Sequence, residues 1–194
     1  AAKLMDRGLH VLEDTTMGQG TAVETYQDPR LTPVIGQQFS LITTDFDIFE
    51  AKLASANPNF AAAMVDVLKQ AKVGRGDLVA VGMTGSYPGM NLAVLCACDA
   101  IGAIPVTVTA VGSTWWGAND PDLTWPDMER ILNAQGVVHS RPVAASLGGS
   151  HDEAFGLSNV GQDLLRAAIA RNGLVRIHEK ELPASVARRM ELYR

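Results

Sequence analysis

From Asn57 to the end of the chain, helical patterns and apolar strand-length runs alternate, and that alternation limits the available folds more than any other feature. Phe60, Met64 and Leu68 recur every fourth residue with Ala61 and Val65 beside them, the stripe of a helix laid against a core. Asn57 suits its N-cap and Pro58 its first turn, where a missing N–H costs nothing. Gly74 and Gly76 end it. DLVAVGM (77–83) is then a continuous apolar run, as expected of a strand covered on both faces. PGMNLAVLCACDAIG is a helix apolar on nearly every side, with Gly102 at its C-terminal stop. AIPVTVTAV (103–111) is a second strand. In TWPDMERILNAQG, Thr124 and Asp127 have capping-box spacing. VVHSRPVAASL (137–147) is a third strand, in which Pro142 marks an edge or a bulge. SNVGQDLLRAAIARNG is a capped helix, LVRIHEK a short strand and LPASVARRMELYR a last helix.

Strands separated by helices cannot pair as tight hairpins. They form parallel sheets with right-handed crossovers. The expected fold is therefore α/β, an open three-layer sandwich on a mostly parallel, Rossmann-like sheet. Three or four strands are too few for a barrel. Residues 1–17 read as a helix closed by GQG at 18–20, and 21–56 as a long ordered connection with a short strand near 39–43. We assign 1–56 to an N-terminal helix and irregular connection packed on the core, and 57–194 to the α/β domain, the two making one structural domain. Helical character from Ala1 onward, without an N-cap, leads us to expect a targeting segment or membrane anchor upstream.

Charge narrows the partners. The net charge of −5 and the scattered basic residues argue against nucleic acid, which demands clustered Lys and Arg. The densest basic group, Arg188 and Arg189, reads as a solvated helix face. Cys96 and Cys98, two apart on a helix, point away from each other and read as buried apolar residues.

In parallel sheets, ligands bind where the strand-to-helix turns gather. Three such turns are expected here, at 84–91, 111–123 and 146–157. In TGSYPGMN, Gly85 and Gly89 let backbone approach a ligand, Ser86 can cap the helix, and the first-turn N–H groups favour an anion. Capping alone explains the same residues. The stretch matches neither the phosphate loop, the dinucleotide fingerprint nor the nucleophile elbow. The second turn holds Trp115 and Trp116, with Trp125 just beyond. One of the adjacent pair is expected in the core, and the other can wall a pocket. Asp120 and Asp122 suit a turn, or acid–base work. The third turn sets His151 beside Asp152 and Glu153, so a Ser86–His151–Asp120 triad, with Thr84 as an alternative nucleophile, is conceivable. The ligand contacts expected at these turns are Gly85, Ser86, Gly89, Asn91, Gly112, Ser113, Trp116, Asn119, Ser146, Gly148 and Gly149. The four histidines lack ligand spacing, so no metal site is assigned, and the sequence leaves any cofactor open. His10 and His178 read as surface residues.

SLITTD (40–45), AKLASANPNFAA (51–62), GDLVAVGMTGSYPGMNLAVL (76–95), VGSTWWGANDPDLTWPDMER (111–130) and VAASLGGSHDEAFGLS (143–158) resemble the poly-γ-glutamate system protein family. The resemblance spans most of residues 36–175. It implies a cell-envelope protein, held by an N-terminal membrane helix and serving synthesis or export of an anionic polymer alongside membrane components of the synthase. It carries over no catalytic residues. Family members continue past the equivalent of Arg194, which implies that the C-terminal part is missing or lies on a second chain.

Three functions follow as expectations. The chain is an accessory protein binding poly-γ-glutamate or a glutamyl small molecule at the glycine turns. Alternatively it is an amide hydrolase or transferase of γ-glutamyl bonds with Ser86 or Thr84 as nucleophile. Or it is a scaffold that docks the membrane complex through its tryptophan turn.

Overall fold

The computed structural model describes residues 1–19, 28 and 32–194. It is an α/β sandwich built on a three-stranded parallel sheet, with seven helices among the described residues. The elements in chain order are α1 (Ala2–Gln19), α2 (Phe49–Ser55), α3 (Asn59–Gln70), β1 (Leu78–Thr84), α4 (Pro88–Ile101), β2 (Ile104–Ala110), β3 (Asn119–Asp120), β4 (Leu123–Thr124), α5 (Trp125–Ala134), β5 (Ala144–Ser146), α6 (Asn159–Arg171) and α7 (Leu182–Leu192). The sheet order is β1-β2-β5, and β3 and β4 form a separate short antiparallel pair. The expected stop of α1 at 18–20 and the connection from 21 lie partly outside the described residues.

Local chemistry sets most boundaries. Gly102 stops α4 at φ 74, a conformation that favours glycine. Thr124 and Asp127 form the capping box of α5, and the Ser158 hydroxyl accepts from the Gly161 N–H at the start of α6. α3 begins one residue later than Asn57 and Pro58 suggest, yet Asn57 Oδ1 still accepts from the Asn59 N–H at 2.9 Å.

Four expectations change. The third strand shrinks to Ala144–Ser146, because residues 137–143 make no ladder with β2 apart from a Val143 N–H to Thr107 carbonyl bond. The segments near 43 and 176 contribute isolated bridges, Thr43 to Ser113 and Ala145 to Arg176, rather than strands. The connection before residue 57 contains a helix, α2. Finally, β1 is covered on one face only: Val79, Val81 and Met83 meet the helical layer, whereas Leu78, on the other side, is 65% exposed.

α4 carries the core. Leu92, Leu95 and Cys96 pack with Met5 and Leu12 of α1, Met83 of β1 and Trp125, Met128 and Leu132 of α5. A second cluster sets Leu165, Ala168 and Ile169 of α6 on Ala145 and Leu147. The opposite face of the sheet receives the end of α7, where Leu192 and Tyr193 pack near Val108, Ala144 and Ile177. Cys96 and Cys98 are free and buried, and burial pushes their thiols up to about 12 and about 11. Glu129 on α5 is fully buried. Only its Oε1 has a bond, from the Ser140 hydroxyl at 3.1 Å, and burial pushes the carboxyl up to about 7.

Candidate functional site

The sheet register decides where the turns go. Thr84 stands beside Ala110, and Ala110 beside Ser146, so the turns after β1, β2 and β5 start side by side on one edge. The three glycine-bearing stretches therefore converge, as the topology of a parallel sheet requires. Among the described residues they pack on one another rather than framing a hollow. A Cβ on Gly117 would lie 2.7 Å from the Gly85 carbonyl oxygen, one on Gly112 would lie 2.8 Å from that of Leu147, and one on Gly85 would strike the Val111 carbonyl. These glycines make room for neighbouring backbone rather than for a ligand.

The amides are correspondingly occupied. The Gly85 N–H donates to Ala110 at 2.9 Å, the Gly112 N–H to Leu147 at 2.8 Å and the Ala118 N–H to Gly85 at 2.8 Å. These bonds take up the Gly85 and Gly112 amides, so neither is offered to a ligand as expected at these turns. Ser86 does not cap α4 either: Tyr87 is the N-cap, and no side chain caps that end. Gly89 is pressed against α2, since a Cβ there would meet the Ser55 carbonyl oxygen at 2.6 Å.

A buried cation sits between the first and second turns. The Lys52 side chain is 1% exposed, and its ammonium donates to the Thr114 hydroxyl at 2.6 Å, to the Ser86 carbonyl, and to Asp47 Oδ2 at 2.8 Å. It also lies 3.8 Å from the centre of the Tyr87 ring, a cation–π contact. The Tyr87 hydroxyl and the Thr114 hydroxyl donate to the two oxygens of Asp47. Burial pushes the Asp47 carboxyl up, but the Lys52 bond, the Ile48 N–H and Thr114 outweigh it and hold the group at about 2. Burial lowers Lys52, opposed by Asp47. All three ammonium donors are used, so Lys52 ties α2, the β1 turn and the β2 turn together.

Among the described residues, no histidine or carboxylate bonds the candidate nucleophiles. The Ser86 hydroxyl oxygen accepts from Thr84 Oγ1 at 3.2 Å and from the Thr114 N–H at 3.1 Å. His151 is exposed, bonded to Ser150 and edge-on to Phe155 at 5.3 Å. Asp120 accepts from the Asp122 N–H at 2.9 Å, a turn contact. The Ser86–His151–Asp120 triad is thus not assembled, because each member is engaged elsewhere.

The remaining predicted contacts hold the turns in place. Asn91 ties α4 to the Thr84 carbonyl at 2.7 Å, and buried Ser113 donates to the Gly85 carbonyl at 3.1 Å. Buried Asn119 exchanges bonds with the Gln37 backbone, pinning the segment that precedes α2. Trp116 is buried at φ 63, edge-on to Phe49 at 5.2 Å. In the third turn, Gly148 and Gly149 have φ of 77 and 64. Buried Ser146 donates to Asp152 at 2.6 Å, and the same carboxylate receives Ser185 and a two-pronged Arg189. Arg189 therefore departs from the solvated-face expectation, since it locks α7 onto the third turn. His178 is exposed as expected, but it pairs with Glu153.

Outside the closed rim lies a shallow depression of about 530 Å³ lined by Gln38, Asp47, Ile48, Phe49, Glu50, Trp115 and Trp116. Beside it, Trp115 meets Phe46 edge-on at 6.3 Å, and Phe46, Phe39 and Ile48 are 74%, 65% and 65% exposed. Sequence reasoning passed over Lys52, Asp47, Thr114 and Tyr87. The available signal was that Lys52 is the one basic residue between Arg30 and Lys69, in a stretch rich in acids. Among the described residues, no group of three His, Cys, Asp or Glu side chains gathers to hold a metal, and no helix is long and apolar enough to cross a membrane.

Fold and rim together define an α/β protein whose strand-to-helix turns close on one another around a buried lysine. No protein-family model, no curated protein and no solved structure matches the chain.

Proposed function

We propose that the chain is a non-catalytic accessory protein of poly-γ-glutamate synthesis or export at the cell envelope, and that it recognises glutamyl polymer with the aromatic rim around Phe46 and Trp115. The observation that carries this reading is the pairing of turns packed on one another beside the buried Lys52 with an open aromatic border. A hydrolase needs a nucleophile in reach of a proton acceptor. Ser86 and Thr84 bond each other, Ser86 also accepts from the Thr114 amide, and among the described residues no histidine or carboxylate bonds either hydroxyl. Large exposed apolar side chains beside a depression mark a binding surface. The polymer identity rests on the sequence resemblance alone. Asp47 and Glu50 border the depression, so the ligand is engaged through its amide and methylene backbone rather than by its carboxylates.

A second reading is favoured by the same exposed Phe39, Phe46 and Ile48: the rim docks a membrane component of the synthase. Titration with a γ-linked glutamate oligomer, followed by tryptophan fluorescence, separates the two. Polymer recognition predicts a saturable change that Trp115→Ala weakens at least tenfold. No change, together with loss of co-purification with the synthase in Phe46→Ala, supports docking instead.

A further inference from the structure

β1 is an edge strand, and among the described residues no strand pairs with its outer side. Soluble proteins protect such edges with lysine, proline, a bulge or a covering element. LVAVGMT has no charge and no proline, and it pairs with β2 through seven consecutive residues without a bulge. The Ile104 N–H bonds the Asp77 carbonyl and the Gly85 N–H bonds Ala110, so odd-numbered residues of β1 face β2. The amides of Leu78, Ala80 and Gly82 therefore face outward.

The uncovered face of the same strand adds an apolar surface. Leu78 is 65% exposed, and Ile104, its register partner, is 50% exposed. α7 borders this face, with the Tyr193 phenol oxygen 3.7 Å from a Cβ placed on Gly82. Ser185 and Arg189 hold one side of α7 to Asp152. About a quarter-turn away, Leu182, Val186 and Met190 form an i, i+4, i+8 line leading to Tyr193, and they are 48%, 50% and 52% exposed.

We propose that β1 pairs antiparallel with β1 of a second copy, making one continuous six-stranded sheet with the two α7 stripes facing each other across the join. The surface is self-complementary. A twofold axis at Val81 sets Leu78 against Thr84, Val79 against Met83 and Ala80 against Gly82, so no charge meets a like charge. Ala80 and Gly82 then exchange their outward N–H and C=O groups. The uncovered faces of the two copies fall on the same side and form a trough two strands wide, flanked by both α7 helices. Leu78, Ile104, Leu182, Val186 and Met190 offer on the order of 300 Å² of apolar side-chain surface per copy. That is a substantial part of the roughly 800 Å² per partner in a standard interface.

Sedimentation equilibrium over a dilution series tests the pairing. A species of twice 20.6 kDa that dissociates on dilution is expected, weakened at least tenfold by Leu78→Lys and by Met190→Lys with circular dichroism unchanged. Hydrogen exchange supplies a readout independent of those variants: the Leu78, Ala80 and Gly82 amides should exchange at least tenfold more slowly at high than at low protein concentration. A chain that sediments at 20.6 kDa throughout overturns the proposal. So does a dimer in which the exchange of these three amides ignores concentration.

Discussion

Lys52→Met removes the ammonium that ties α2 to both glycine turns, and it leaves Asp47, the Ser86 carbonyl and Thr114 without their shared donor. Breaking a buried charge pair from one side costs about 3–5 kcal/mol. Asp47 gives a second measure. Its displacement from 3.8 to about 2 corresponds to roughly 2 kcal/mol of native-state stabilisation at neutral pH. Because Asp47 is one-fifth exposed, water relieves part of the loss, and we expect about 3 kcal/mol. For a chain of this size that lowers Tm by roughly 6–12 °C. Urea unfolding followed by circular dichroism reads the change directly, with an unaltered slope showing that the unfolded state is the same. In an Asp47→Asn background, Lys52→Met should cost at least about 1.5 kcal/mol less, since the two groups are directly coupled. The pH sign is fixed as well. The folded-state pKa of Asp47 lies below its unfolded value, so its contribution is complete above about pH 4 and disappears as pH falls through about 2. Asp47→Asn should lack that acid component. A loss below about 1 kcal/mol in Lys52→Met, or an acid limb identical in Asp47→Asn and the parent, would refute the argument.

Other substitutions probe the same packing. Gly117→Ala drives a methyl group into the Gly85 and Ser86 carbonyls and should cost about 3 kcal/mol or more, whereas Gly74→Ala, with its nearest neighbour at 3.8 Å, should stay within about 1 kcal/mol in the same unfolding assay. Arg189→Met strips Asp152 of its two-pronged partner and should cost about 3 kcal/mol, with amide exchange accelerating first in α7. Glu129 carries the opposite pH sign from Asp47. Its folded-state pKa of about 7 exceeds the 4.5 of the free group, so the folded chain holds a proton longer than the unfolded one. Stability should therefore decline by about 3 kcal/mol as pH rises from about 4.5 to 7. Glu129→Gln should flatten that decline in thermal melts taken across the range.

The parts of the fold written in local pattern were legible. β1, β2, α4 and α5 fall within a residue or two of their expected spans, because apolar runs, the αL glycine at 102 and the Thr124–Asp127 box act over a few residues. β5 was overestimated because a β-branched stretch becomes strand only where a neighbour pairs with it, and Ala144–Ser146 alone align with Val108–Ala110. The meeting of the three turns was also legible, since parallel topology places them on one edge. What they do there was not. Gly85 and Gly112 read as room for a ligand, yet the space belongs to backbone from turns about 30 residues away in sequence. Lys52 meets Thr114 across 62 positions and Arg189 meets Asp152 across 37, separations at which no periodicity or spacing rule operates.

The central claim is that the Ser86 turn is a closed structural joint and that recognition takes place on the aromatic border outside it. Product-length analysis of γ-linked glutamate polymer, after prolonged incubation with the wild-type chain and with Ser86→Ala, addresses it most directly. The account predicts unchanged polymer length with both proteins. Shortening by the wild-type chain that Ser86→Ala abolishes would contradict it.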